Sequence, residues 1–89
     1  MKTVTETKRF SRDFKRTIRR GKNHEKLLSA VELLAAGEDL PDRMRPHKLS
    51  GSLEGIWECH LEPDWLLLYD VTDEEVILFR TGSHSDLFR

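Results

Sequence analysis

The chain has 89 residues, a single cysteine, a formal net charge of −1 and 35% charged residues. A chain of this length forms one core, so we expect a single domain over residues 1–89, and the lone Cys59 excludes an internal disulfide. No apolar run is long enough to span a bilayer, and the charged start is unlike a signal peptide, so we expect a cytoplasmic protein. The scattered histidines lack the spacing of metal ligands, and we expect neither a metal nor another cofactor.

The charge is distributed unevenly along the chain. Residues 1–48 carry 13 basic and 7 acidic side chains, a net charge of +6, whereas residues 49–89 carry 2 and 9, a net charge of −7. A basic half on a nearly neutral protein favours a polyanionic partner, because neutralised phosphates release counterions. A solvated helical face explains the same charges equally well at this point.

The N-terminal segment predicts a strand followed by a basic helix. Thr3–Thr7 is rich in β-branched residues, which is typical of a strand. Ser11 is positioned to cap the helix, and Asp13 to lie in its first turn near the positive end of the helix dipole. The apolar positions at four-residue spacing are Phe10, Phe14 and Ile18. The solvent-facing basic positions are Arg12, Lys15, Arg16, Arg19 and Arg20.

A second helix follows after a short connection through Gly21. Asn23 can cap this helix. Its apolar stripe consists of Leu27, Leu28, Val31, Leu34 and Ala35. Two helices joined so closely predict an antiparallel helical hairpin that lies on a sheet.

The connection that follows, residues 38–52, is polar and has no periodicity. A segment of this length without a regular pattern is a candidate functional loop. Its basic and imidazole side chains are Arg43, Arg45, His47 and Lys48. They precede the point at which strands resume, so we expect them close to the sheet.

The C-terminal half predicts three successive strands, at Leu53–His60, Trp65–Val71 and Glu75–Arg80. Ser83 can cap a last helical turn that runs through Phe88. The sequence therefore predicts an α+β fold: an N-terminal strand, a helical hairpin, and a three-strand antiparallel meander that completes one sheet. With both helices on one face, the other face of the sheet is left for a ligand.

Four ionisable residues at the strand ends indicate chemistry. His60 and Asp64 flank a proline turn, and Arg80 and His84 flank the corner after the last strand. An arginine fork can hold two phosphate oxygens and an imidazole can move a proton near neutral pH, which is what phosphodiester cleavage without a metal requires. Singly, each has a simpler explanation: an ion pair between Arg80 and an aspartate, a solvated His84, or a turn-forming Asp64.

Two further expectations concern the end of the chain. Side-chain alternation along the last strand places Val76, Leu78 and Arg80 on one face of the sheet. The ring of Phe88, near the chain end with only Leu87 beside it, is poorly explained by packing. It could instead stack on a nucleobase.

Residues 60–69, residues 80–84 and residues 87–88 together resemble the YafQ branch of the RelE/ParE toxin superfamily, the toxin halves of bacterial type II toxin–antitoxin pairs. Residues 46–51 and Gly55 match that branch as well. The specific match covers the C-terminal half, while the N-terminal half agrees in its pattern of a strand and a basic helical hairpin. The element order is that of a RelE-like fold.

The resemblance implies a metal-independent endoribonuclease that cuts mRNA in the ribosomal A site and so inhibits translation. Its partners would be the ribosome, mRNA and a cognate antitoxin encoded beside it, with no membrane, and with operator DNA bound only through the antitoxin complex. The residues that match the family's active site are His47, His60, Asp64, Arg80, His84 and Phe88. The residues expected to bind RNA or the ribosome are Arg12, Lys15, Arg16, Arg19, Arg20, Arg43, Arg45 and Lys48.

In the reaction that this implies, the RNA 2′-hydroxyl attacks the adjacent phosphate. The general base is one of His47, His60 and Asp64, His84 protonates the leaving oxygen, and Arg80 stabilises the charge on phosphate. Two alternatives stay open: a gyrase-targeting ParE-like toxin on the same scaffold, and a catalytically inactive toxin-fold binding module.

Overall fold

The structure is a computed structural model that describes residues 1–51 and 55–88. In chain order its elements are β1 (Thr3–Glu6), α1 (Lys8–Arg19), α2 (His24–Ala35), a 3₁₀ turn (Asp42–Met44), β2 (His47–Lys48), β3 (Trp57–Glu62), β4 (Trp65–Val71), β5 (Glu75–Gly82) and α3 (His84–Leu87). Among the described helices, none has the length and apolarity of a membrane span.

The strands form one mixed sheet in the order β1-β5-β4-β3-β2. β3, β4 and β5 make the predicted antiparallel meander, and β1 joins its edge parallel to β5. The α+β prediction is therefore confirmed. β3 begins at Trp57 and extends past His60 to Glu62, while residues 53–54 of the predicted strand lie outside the described residues. The two-residue β2 within the polar connection was not predicted.

The first helix starts earlier than predicted. Thr7, not Ser11, is its N-cap: the Thr7 hydroxyl accepts the Phe10 backbone N–H and donates to the Phe79 carbonyl of β5. Asp13 consequently lies beyond the first turn, on the buried face of the helix. The cap is displaced because the chain passes from β1 into α1 without a loop, and Thr7 is the residue that both elements contact.

Both apolar stripes need one correction. Ile18 of α1 and Leu28 of α2 are 40% and 44% exposed, since each lies at the margin of its helix face. The buried face of α1 is instead Phe10, Asp13 and Thr17. The predicted cap of α2, Asn23, is confirmed. The core between helices and sheet includes Leu27, Val31, Leu34, Cys59, Trp65, Leu67, Tyr69, Val76 and Leu78.

The prediction that Arg80 shares a face with Leu78 is wrong. Tyr69 pairs with Leu78 and Leu68 pairs with Arg80, so Phe79 is an extra residue, a β-bulge in β5. Since Leu68 and Tyr69 alternate across the sheet, Arg80 lies on the face opposite to Leu78. The bulge thereby moves a charged side chain out of the helix-covered core.

Candidate active site

A row of four aromatic rings lies on the side of the sheet opposite the core formed with α1 and α2. His47 of β2 and His60 of β3 have ring centroids 6.4 Å apart. The His84 ring at the start of α3 lies 5.9 Å from that of His60, and the Phe88 ring lies 6.5 Å from that of His84. The structure thus brings together side chains that are up to 41 positions apart in the sequence, from residue 47 to residue 88.

Asp64 and His84 form a hydrogen-bonded pair at one end of this row. Asp64 lies in the turn between β3 and β4, and its Oδ1 accepts the His84 backbone N–H at 2.9 Å and His84 Nδ1–H at 2.6 Å. The backbone hydrogen bond and then the ring hold the pKa of Asp64 below its ordinary value. An ionised Asp64 fixes the ring orientation and leaves Nε2 of His84 for a reacting group.

Glu58 and His47 form a second pair at the other end. Glu58 is buried and stands opposite His47, and Nε2 of His47 is 3.3 Å from its Oε1. Nδ1 of His47 lies 2.8 Å from the Arg45 carbonyl. Both ring nitrogens therefore face acceptors, and an imidazolium satisfies both. Glu58 was missed by the sequence reasoning, although it is two residues from His60 on the same strand and so on the same face.

His60 lies between the two pairs. It stands opposite Leu66 in the sheet, and its half-buried ring has an enclosed Nδ1 that finds no hydrogen-bond partner among the described residues. Because Nδ1 is enclosed, Nε2 is the ring nitrogen that a ligand could contact. Phe88, which closes α3, is 43% exposed and offers a ring face at the rim of the site.

Arg80 forms the aspartate ion pair that was considered as the simpler explanation of this residue. Its Nε donates to Asp13 Oδ2 at 2.7 Å and its Nη2 donates to Asp13 Oδ1 at 3.0 Å. This hydrogen bonding is the main reason that the pKa of Arg80 is raised. Asp13 was not predicted as a site residue, because nothing in the sequence connects it to a strand 67 positions away.

The basic residues predicted to bind RNA fall into separate groups. A groove along α1 is lined by Arg9, Arg12, Asp13, Lys15, Arg16, Arg19 and Arg80. Arg20 lies elsewhere on α1 and pairs with Asp86 of α3 at 2.7 Å. A second groove, lined in part by Lys26, Arg43 and Arg45, reaches His60. Lys48 Nζ stands 6.0 Å from the Trp57 ring centroid.

The donor set does not form a metal centre. No group of three or more His, Cys, Asp or Glu residues within residues 1–51 and 55–88 is arranged to hold a metal ion. The aligned rings, the two carboxylate–imidazole pairs and the nearby arginines are suited to proton transfer at a phosphate.

Comparison with known proteins places this geometry in context. A family model described as "Bacterial toxin of type II toxin-antitoxin system, YafQ" matches residues 2–89. The mRNA interferase toxin YafQ of Escherichia coli K12 is 39% identical over 80 residues, covering 89% of this chain and 87% of the relative. Among solved structures, the E. coli DinJ-YafQ complex matches with a TM-score of 0.91 at 34% identity, covering both chains fully. A metal-bound toxin from Helicobacter pylori matches with a TM-score of 0.91 at 37% identity, covering 99% of this chain and 100% of that one.

Proposed function

Since the chain belongs to the YafQ family of bacterial type II toxin–antitoxin toxins, we propose that it is an mRNA interferase that cleaves mRNA in the ribosomal A site and so inhibits translation. The observation that carries the proposal is the His84 ring, held by Asp64 beside His60 and Phe88. The cleavage takes place in the cytoplasm and uses no metal.

The reaction is attack of the RNA 2′-hydroxyl on the adjacent phosphate. A base takes the hydroxyl proton, the O2′–P bond forms, the P–O5′ bond breaks, and an acid protonates the departing O5′. The products are a 2′,3′-cyclic phosphate and a 5′-hydroxyl. A base and an acid on opposite sides of the phosphate are required, and adjacent imidazoles can supply both.

The geometry favours His60 as the base among the three candidates. Asp64 is a weak base, because its pKa is lowered and its Oδ1 already accepts two hydrogen bonds. His47 has a protein acceptor beside each ring nitrogen, so neither nitrogen is directed at the 2′-hydroxyl. His60 keeps Nε2 for the 2′-hydroxyl. The Glu58–His47 pair holds the neighbouring imidazole in place.

His84 then acts as the acid through Nε2, with Asp64 stabilising its protonated form. Arg80 stabilises the charge that develops on the phosphate oxygens. Phe88 stacks on a base splayed out from the message. These three contacts position the scissile phosphate against the row of rings.

The basic grooves serve docking. In the α1 groove, Arg12, Lys15 and Arg19 contact ribosomal RNA phosphates, as do Arg43, Arg45 and Lys48 on the other side of the site. Arg16 and Arg20 contribute less, because both are held by internal carboxylates, Asp13 and Asp86. Such contacts orient the toxin on the ribosome without reading sequence.

The cognate antitoxin is the inhibitory partner. The DinJ-YafQ complex, in which a chain of the same fold is bound to its antitoxin, supports this assignment. Operator DNA is bound only through that complex, since the toxin's own basic surface is committed to RNA. Co-expression of a small protein encoded beside the gene is expected to restore growth and to co-purify.

The test is cleavage on a programmed ribosome by toxin that has been stripped with a chelator and then desalted, with the RNA 5′ ends mapped. We expect cuts in codon register that leave 5′-hydroxyl ends, and much weaker cutting of the same transcript without ribosomes. Loss of cleavage by the chelator-stripped toxin would contradict metal independence. Intact mRNA together with inhibited DNA supercoiling would indicate a gyrase-targeting toxin instead. Intact mRNA with no other effect would indicate a catalytically inactive binding module.

A further inference from the structure

Asp13 collects hydrogen bonds from three different residues. Its side chain is 6% exposed. Oδ2 accepts Arg80 Nε at 2.7 Å and the Thr81 backbone N–H at 3.3 Å. Oδ1 accepts Arg80 Nη2 and Arg16 Nη2, both at 3.0 Å. A carboxylate with four donors has one orientation, and it imposes that orientation on whatever binds it.

The contact with Arg80 is side-on. It uses Nε and one hydrogen of Nη2, so Nη1 and the outer edge of the guanidinium stay free for another acceptor. We propose that Asp13 is a positioning residue for Arg80: it holds the guanidinium so that the outer edge meets a phosphate of the substrate. This inference rests on the proposed function, which makes that phosphate the scissile one.

The backbone arrangement explains why a residue of helix α1 positions Arg80. β1 pairs with β5 only as far as Leu78, but β5 continues to Gly82. Along the rest of that edge, Thr7 bonds the Phe79 carbonyl and Asp13 bonds the Thr81 N–H, so α1 takes the place of a neighbouring strand. The bulge at Phe79 turns Arg80 to the open face, and Asp13 then fixes its end.

Asp13 does not cancel the positive charge that a phosphate needs. Arg16 and Arg80 share the one carboxylate, so the three side chains together carry a net charge of +1. Arg9, Arg12, Lys15 and Arg19 line the same groove. The groove therefore attracts an anion, and the guanidinium at its edge is already oriented. This orientation reduces the conformational entropy that the Arg80 side chain loses when the anion binds.

A double-mutant cycle tests the proposal. Asp13→Asn, Arg80→Ala and the double variant are compared by single-turnover cleavage on programmed ribosomes, with the half-saturating ribosome concentration measured for each. We expect Asp13→Asn to slow saturated cleavage by about tenfold to a hundredfold, because small misplacements of a catalytic group have effects of this size. In the Arg80→Ala background the same change should alter the rate by less than about twofold, since it acts only through Arg80. The half-saturating concentration should change little in either background.

A control variant separates positioning from general destabilisation. Thr7→Val removes the cap of α1 and the hydrogen bond to Phe79 at the same edge, but leaves Asp13 and Arg80 in contact. It should lower the melting temperature without slowing saturated cleavage. Equal slowing by Thr7→Val, or an undiminished effect of Asp13→Asn in the Arg80→Ala background, would overturn the proposal.

The wild-type protein offers a measurement independent of activity. In NMR spectra, Nε–H of Arg80 should be rigid and protected from exchange. A mobile Arg80 side chain would overturn the positioning role even where Asp13→Asn does not fold. Should the wild type leave ribosome-bound mRNA intact, the proposed function fails, and the NMR measurement still decides whether Asp13 holds Arg80.

Discussion

His84 illustrates how a common residue type acquires a defined role from its neighbours. A solvated histidine at the start of a short helix would be unremarkable, and the side chain of His84 is indeed 53% exposed. What distinguishes His84 is its contact with Asp64. From the turn between β3 and β4, the Asp64 carboxylate accepts hydrogen bonds from both the backbone N–H and the ring of His84. One carboxylate thus fixes the helix start and the imidazole together, and Nε2 is the ring nitrogen that Asp64 does not engage.

We expect His84→Ala to slow single-turnover cleavage on the ribosome by about 10²–10⁴-fold, the usual contribution of a positioned acid or base. Ribosome binding should stay close to wild type, because His84 lines neither of the two basic grooves. The matched control is His24→Ala, an exposed histidine in the first turn of α2, which should cleave normally. Wild-type cleavage by His84→Ala, or loss of binding along with activity, would show that His84 is not the acid.

The sequence suggested candidate site residues, but not all of the contacts between them. The histidines, Asp64, Arg80 and Phe88 were identified from residue type, spacing and family resemblance, and the structure places the rings in one row. Glu58 and Asp13 were missed because each acts on a partner that only the folded chain brings near. A buried carboxylate is recognisable in a sequence only when its burial can be predicted.

At the level of elements, hydrophobic periodicity predicted the main helices and strands correctly, but it predicted neither the short strand β2 nor the β-bulge in β5. The meander and both main helices follow from apolar spacing, whereas β2 is too short to show a period. The bulge at Phe79 has no sequence signature, because the residue on either side is a normal strand former. It nevertheless decides the face of the sheet on which Arg80 lies.

The short helix α3 depends on an ion pair rather than on its own length. In a capping box, the Asp86 carboxylate accepts the Ser83 backbone N–H and the Ser83 hydroxyl accepts the Asp86 backbone N–H. The Asp86 carboxylate also accepts two hydrogen bonds from Arg20 of α1. The hydrogen bond from Arg20 is the main reason that the pKa of Asp86 is lowered. A four-residue helix has little stability of its own, so this pair holds the segment that carries His84 and Phe88.

We therefore predict that the protein loses stability in acid through Asp86. A carboxyl group whose pKa is lower in the folded state stabilises the fold fully above its unfolded pKa, and this contribution disappears as the pH falls through the folded value. The free energy of unfolding should thus rise with pH from strong acid to about pH 5, with Glu62 and Asp64 acting in the same direction.

Urea unfolding across this pH range, followed for the wild type and two variants, provides the check. Asp86→Asn should flatten the acid slope and lower stability at neutral pH by about 1–3 kcal/mol, the usual effect of losing hydrogen bonds to a charged group. Asp73→Asn, an exposed turn residue, should leave both unchanged. An unaltered slope in Asp86→Asn would contradict the assigned role of the pair.

Considered as a whole, the molecule is nearly neutral but has its charges divided between surfaces. The sequence predicted a basic N-terminal half, and the structure distinguishes the residues in it. Arg16 and Arg20 are engaged by Asp13 and Asp86, whereas Arg12, Lys15 and Arg19 are exposed and form no ion pair with another described residue. The charges available for a polyanion are thus fewer than the composition indicates, and they are concentrated along α1.

Charge reversal along α1 should separate docking on the ribosome from the cleavage chemistry. Arg12→Glu combined with Lys15→Glu should weaken ribosome binding and make its salt dependence shallower, by about one unit of the logarithmic slope for each phosphate contact removed. Cleavage at saturating ribosome concentration should stay near wild type, because the row of rings is untouched. Lys2→Glu with Lys8→Glu makes the same change in net charge outside the α1 groove, and should alter binding far less. Binding titrations at several salt concentrations distinguish the two pairs. Equal weakening by both would mean that net charge, rather than the groove, attracts the ribosome.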